Sequence, residues 1–248
     1  MINKIFLKIV NFIIELIDYS GKKKIINFFK KKFIYERLKI IDIGAHKGET
    51  IDLFYKNFKI DKIYCFEPNL KLFNILKNQK KYNNRNVELY NYGVGLTETN
   101  ALLNVMADSA SSTFNTLNLD SKYYKKKNKI LTIFSKKKEL LQDKQIVKII
   151  NLSNFFKKKN ILEIDLLKID SEGYEYKILK GIKSLDFAKI KFIYFEHHYD
   201  LMINKGYSFS DINKLLSNNF FKKKYKIKMR FRKSFEYIYE NQNFKSKS

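Results

Sequence analysis

Four groups of residues in this 248-residue chain have types and spacings that could do chemistry. The first is Asp42-Ile43-Gly44-Ala45-His46-Lys47-Gly48-Glu49-Thr50, two glycines where an apolar run gives way to a helical one. Such a turn lets the backbone approach a ligand closely and points helix N–H groups at it. A strand–helix turn with no ligand would also produce Gly-x-x-x-Gly. The second is Glu67, ahead of Pro68 and about 20 residues beyond the glycine turn, where Rossmann-type sheets carry an acid for the ribose hydroxyls. Its alternative role is to cap the helix after Pro68. The third is Leu167-Lys168-Ile169-Asp170-Ser171-Glu172-Gly173-Tyr174-Glu175. Strand alternation puts Lys168 and Asp170 on one face, with Asp170 at the C-terminal end, where open α/β sheets hold ligands. Glu172 and Glu175 open the next helix, whose dipole favours carboxylates; that structural role suits Glu175 best. The fourth is Glu196-His197-His198, after Phe192-Ile193-Tyr194-Phe195.

Asp170, Glu172, Glu196 and His197 are the candidate catalytic residues, with Asp170 foremost as a base or orienting group. Histidine titrates near neutral pH and can serve as a base, although either His197 or His198 could equally be a packing or surface residue. Asp170, Glu196 and a histidine could also converge on a divalent ion, but no metal site is assigned.

These groups need a scaffold, and the elements around them alternate. Lys39–Ile43 reads as a strand, Glu49–Phe58 as a helix, Lys62–Phe66 as a strand, Leu70–Lys80 as a helix and Val87–Tyr92 as a strand. Ala101–Met106 reads as a further strand inside a less regular region (95–150). There, 118–140 looks like an insertion or lid whose lysine run, Lys122–Lys129, is a solvated loop. Alternation resumes with strand Leu166–Ile169, helix Tyr174–Lys180, strand Lys191–Phe195 and helix Ser208–Asn218, N-capped by Ser208. Phe220–Ile227 and Phe235–Tyr239 pair as an antiparallel hairpin at the sheet edge. This order predicts a Rossmann-like α/β domain over 38–248, preceded by an amphipathic helix and lysine-rich connector over 1–37.

A nicotinamide dinucleotide would want Gly-x-Gly-x-x-Gly, with a middle glycine to admit the pyrophosphate. Ala45-His46-Lys47 fills that space here, so a single nucleoside with an amino-acid tail suits the turn better; S-adenosylmethionine has that shape. Gly44, Ala45 and Gly48 would line its methionine end, with Asp42 and His46 of the same turn also binding the cofactor. Glu67 and Pro68 would bind the ribose, and Asn91, Tyr92 and Gly93 the adenine, with Asp108 closing over it.

The glycine turn, Phe66-Glu67-Pro68-Asn69 and Lys168-Ile169-Asp170-x-Glu172-Gly173-x-Glu175-x-x-Leu179-x-Gly181 together resemble the FkbM family of methyltransferases over about residues 38–200. The resemblance implies a class I methyltransferase fold, a mostly parallel seven-stranded sheet with helices on both faces. It also implies S-adenosylmethionine as cofactor and methylation of a hydroxyl on a sugar, glycan or secondary metabolite. His46 stands where the family often has Asn, and Ser153 where an acid is common.

The formal net charge of +25 could suggest nucleic acid. Yet the only arginines are Arg37, Arg85, Arg230 and Arg232, and arginine is the residue suited to bidentate phosphate and base contacts. Lys, Asn, Ile, Phe and Tyr are all encoded by A/T-rich codons, so no specific nucleic-acid partner is expected. A basic binding protein on a Rossmann-like platform and an NAD-dependent oxidoreductase are the competing functions. Cys65 is the sole cysteine, so no disulfide framework exists and a cytoplasmic location is the default. Residues 1–20 are amphipathic, too interrupted by Lys8, Asn11 and Glu15 to span a membrane, and could touch one peripherally.

Overall fold

In residues 22–33, lysines at 22–24 and 30–32 bracket Ile25, Phe28 and Phe29, an i, i+3, i+4 stripe that favours a one-sided helix. A computed structural model describes residues 21–107, 111–134, 140–229 and 233–245, and 21–32 are helical (α1). The expected lysine-rich connector is therefore a helix. Its lysines face water while Ile25 and Phe29 pack into the core. The amphipathic stretch expected over 1–20 lies outside the described residues.

Then follow β1 (Arg37–Ile43), α2 (Glu49–Asn57), β2 (Lys59–Phe66), α3 (Leu70–Lys77) and β3 (Val87–Tyr90). The irregular region contains β4 (Gly93–Gly95), β5 (Thr99–Met106), β6 (Thr116–Leu117), α4 (Lys122–Phe134) and β7 (Leu141–Asn151). Next come α5 (Leu152–Lys158), β8 (Ile164–Ile169), α6 (Glu175–Lys180), α7 (Ser184–Phe187), β9 (Ile190–His198) and β10 (Ile203–Asn204). Helix α8 (Phe209–Asn218) and strands β11 (Phe221–Lys228) and β12 (Ser234–Asn241) complete the order.

One sheet dominates, in the order β3-β2-β1-β8-β9-β12-β11. Its strands are parallel apart from β12, which runs antiparallel to both neighbours. This is the mostly parallel seven-stranded sheet expected, with the expected hairpin at its edge. Successive residues of the inner strands feed opposite cores, as the period of two requires. Leu166 and Phe192 meet Phe29 and Phe54 on one face, while Leu167 and Ile193 meet Phe155 and Tyr237 on the other. Burying each such side chain contributes about 1.5–3 kcal/mol.

Two further expectations need correction. The Lys122–Lys129 run is not a solvated loop but part of α4. Between 93 and 151, β4, β7 and β5 form a separate three-stranded sheet, in which β7 is antiparallel to β5. Gln142, Asp143 and Lys144 gave β7 no apolar alternation, since only its far end is buried. Ser208 caps α8 as expected, accepting from Asp211 N while the Asp211 carboxylate accepts from Ser208 N. Among the described residues no helix is long and apolar enough to cross a membrane.

Candidate active site

The chain leaves β1 through Gly44, at φ 82°. A Cβ there would lie 1.9 Å from the Asp170 carbonyl oxygen, so only glycine fits. Gly44 N and Ala45 N donate to Phe66 O at 2.9 and 3.1 Å, which ties the turn to the end of β2. Glu67, next in line, is 5% exposed and accepts from His46 N at 2.8 Å and Asn69 N at 2.9 Å. Burial pushes its carboxyl up to about 7, against the pull of those two donors. The Asn91 side chain donates to the carbonyls of Glu67 and Pro68 at 2.9 and 3.0 Å and so fixes the segment from behind.

Strand register then lays out two polar rows on the α1 and α2 side of the sheet. In the lower row Cys65, Asp42, Lys168 and Tyr194 stand side by side on β2, β1, β8 and β9. Lys168 Nζ lies 3.0 Å from Asp42 Oδ1 and 3.6 Å from Asp170 Oδ2. Burial alone would lower the Lys168 ammonium, but the two carboxylates outweigh it and hold it above the ordinary lysine value. Two residues further on each strand come Glu67, Gly44, Asp170 and Glu196. Glu236 of the antiparallel β12 sits opposite Glu196.

A cavity of about 400 Å³ runs over this upper row. Gly44, Ala45, His46, Glu67 and Pro68 line its β2 side, with Tyr92 and Gly93 beside them. Asp170, Glu172, Glu196 and Lys168 line its middle, while Glu236 and, from α1, Lys22, Ile25 and Ile26 line its β12 side.

Other expected site residues do not reach the cavity. Asp42 is fully buried against Lys168. Gly48, at φ 94°, starts α2, and a Cβ there would meet Tyr82 Oη at 2.2 Å. Asn91 acts on backbone carbonyls, as above. His197 was expected after a strand ending at Phe195, but β9 continues to His198 because β12 keeps pairing with it. Its ring therefore points to the opposite face from Glu196, among Tyr199, Tyr207 and Phe209. Burial there holds its imidazole down at about 3, unlike a base poised near neutrality. Asp108 lies outside the described residues.

His198, not His197, reaches the carboxylates of the cavity wall. Its Nε2 lies 3.3 Å from Glu172 Oε2 and 3.6 Å from Glu196 Oε1, and its Nδ1 lies 3.4 Å from Asp200 Oδ2. Burial disfavours its charge, but Glu172, Asp200 and Glu196 together raise it to about 10. Burial lifts Glu172 to about 8, with Glu196 and Asp170 adding to the effect and His198 opposing it. Glu172 and Gly173 are both left-handed, at φ 48° and 89°. Glu175 is structural: fully buried at the start of α6, it accepts from Gly173 N at 2.8 Å and contacts the Tyr207 hydroxyl. Sequence reasoning missed Tyr194 and Glu236. The available signal was Glu236 lying two residues from Ile238 on the inward phase of β12.

These shifts predict how stability depends on pH. Glu67, Glu236 and Glu172 have folded values of about 7, 7 and 8, above their unfolded value near 4.5, and His198 about 10, above 6.5. A raised folded value gives stability that is complete below the unfolded pKa and lost as pH rises through the folded one. The depressed His197 works the other way only below 6.5. The thermal midpoint of the cofactor-free protein should therefore fall from about pH 6.5 to 8.5. A rising midpoint in scanning calorimetry would contradict these assignments.

Residues 42–226 match a family model described as the methyltransferase FkbM domain. Among solved structures, the chain is similar to methyltransferase FkbM from Methylobacillus flagellatus KT, with 14% identity and a TM-score of 0.50, over 82% of this chain and 44% of that one. The chain thus spans less than half the length of that relative, and the likeness is one of fold. M. capricolum TrmK, in complex with S-adenosyl-homocysteine, is 16% identical with a TM-score of 0.47, over 86% of this chain and 66% of that one. Magnesium protoporphyrin IX methyltransferase from Synechocystis PCC 6803, with bound SAM, is 11% identical with a TM-score of 0.48, over 92% and 81%. No curated protein matches the sequence.

Proposed function

Since the chain belongs to the FkbM family of S-adenosylmethionine-dependent methyltransferases, we propose that it methylates a hydroxyl oxygen of a sugar, glycan or secondary metabolite. The carrying observation is the cavity that joins the Gly44 turn and Glu67 to Asp170. Family membership sets aside both the nicotinamide oxidoreductase and the basic binding protein. Its single, buried cysteine is in keeping with a cytoplasmic location.

The residues present suit the cofactor. Gly44 lets the turn pass directly against the Asp170 backbone on the cavity wall, where a Cβ would collide with a carbonyl oxygen, and each Glu67 carboxylate oxygen keeps a lone pair beyond the one given to a backbone N–H. Glu67 would hold the ribose hydroxyls, the Gly44–Ala45 backbone the methionine end, and the rings of Tyr92 and Phe114, both on the cavity wall, the base. Bound there, S-adenosylmethionine supplies a methyl group activated on a sulfonium sulfur. The protein's work is then orientation and proton acceptance. Asp170 sits mid-cavity, with Lys168 3.6 Å from its Oδ2 and its own backbone N–H on Ile43 O at 2.9 Å. It takes the acceptor's hydroxyl proton as the oxygen attacks.

Calorimetric titration tests this directly. S-adenosylmethionine and its demethylated product should bind and NAD should not; binding of NAD alone would overturn the reading. Glu67→Ala should weaken cofactor binding roughly 10- to 100-fold, the worth of one or two charged hydrogen bonds.

A further inference from the structure

Strands β9 and β12 set Glu196 directly opposite Glu236, both facing the cavity and only 8% and 7% exposed. Like charges paired across strands are destabilising, and burial makes this pair worse. Tyr194 Oη donates to Glu236 Oε1 at 2.7 Å, but Glu236 Oε2 and Glu196 Oε1 are buried and, among the described residues, accept no hydrogen bond. Among the described residues the surrounding cations are largely committed. Lys168 is shared by Asp42 and Asp170, and His198 is nearer Glu172 than Glu196. Lys22, on the surface of α1, also lines this end. Beside the two carboxylates the wall turns apolar, with Ile25 and Ile26 of α1 and Met229 after β11.

We propose that this end of the cavity anchors the methyl acceptor, with Glu196 and Glu236 binding a primary ammonium group on it and the apolar wall packing its skeleton. The proposal rests on the methyltransferase reading of the same cavity and narrows the acceptor to a hydroxylated amine. A hydroxyl group would satisfy one oxygen and leave the excess charge. An ammonium offers three N–H donors and a positive charge that offsets one of the two carboxylates, in charge-assisted bonds about twice as strong as neutral ones. Among the described residues, no three acidic, histidine or cysteine side chains group so as to hold a metal ion. Burial, with Glu196 and Asp170 adding to it, lifts Glu236 to about 7, so at pH 7 about half of the ligand-free molecules carry a proton where the cation would go. Ligand binding then releases that proton.

The test uses the full chain saturated with S-adenosylhomocysteine, with EDTA present, titrated at pH 8 with n-hexylammonium or n-hexanol and followed by ligand-detected NMR. Binding of S-adenosylhomocysteine is measured first and reports on the methyltransferase reading alone. The ammonium should bind saturably and at least tenfold more tightly than the alcohol, and Glu236→Gln should remove that preference with cofactor-product affinity within twofold. Independently of any variant, calorimetry at pH 7 in two buffers of different ionisation enthalpy should show proton release with the ammonium. Equal affinity for the two probes, an unaltered preference in Glu236→Gln, or no proton release would overturn the proposal. So would competition between the ammonium and S-adenosylhomocysteine, because the carboxylates would then serve the cofactor.

Discussion

Asp170→Asn should slow methyl transfer by roughly 10²- to 10⁴-fold, the usual worth of a positioned general base, and leave cofactor affinity within about twofold. Among the lining carboxylates, Asp170 holds the central place. It lies between the Gly44 turn and Glu196, with its backbone bonded to the end of β1 and Lys168 beside its carboxylate. Asparagine keeps the shape and an oxygen for Lys168 but cannot take a proton. Lys168 keeps its closer partner Asp42, so the variant should fold. Label passing from radioactive S-adenosylmethionine into the small-molecule and glycan fractions of a cell extract gives the rate, and calorimetry gives the affinity. A loss below tenfold would move the base elsewhere, to Glu172 or Glu196. Equal losses in rate and in cofactor affinity would make Asp170 a cofactor ligand instead.

Lys168→Met should cost about 3–5 kcal/mol of stability, the largest structural effect expected from a single change at the site. The lysine is 7% exposed and compensates Asp42, which is fully buried with Oδ2 already lacking a hydrogen bond. Methionine reaches as far as the lysine Cε and lacks only the ammonium, so little packing is lost and most of the cost is that of a stranded buried carboxylate. The thermal midpoint should fall on the order of 10 °C for a domain of this size. Adding Asp42→Asn should restore much of the loss, since it removes the uncompensated charge. A loss below about 1 kcal/mol would mean that Asp42 is neutral in the folded protein, and the reading of the pair as ionised would be wrong.

The fold was legible where one element is enough to reveal itself. Ile40, Ile41 and Ile43 before Gly44, or Leu166, Leu167 and Ile169 before Asp170, are buried on both faces and announce parallel strands without knowledge of their partners. The elements that went unread depend on company. α1 is lysine-rich on three sides, and its apolar stripe has meaning only once Phe192 and Phe54 stand beneath it. β7 is largely exposed over its first half and becomes a strand through pairing with β5.

The site divides in the same way. By itself the sequence determined the glycine turn, the acid at Glu67 and the placement of Asp170, because each follows from local geometry: a left-handed turn, a strand end, an alternation of two. Only the tertiary structure decided which of two adjacent histidines faces the carboxylates, and it chose His198 because β9 runs three residues past the apolar run. It alone set Glu236 against Glu196, forty residues apart in the chain, and closed that end with α1. Register and sheet order arise from packing among distant segments, and no local pattern encodes them.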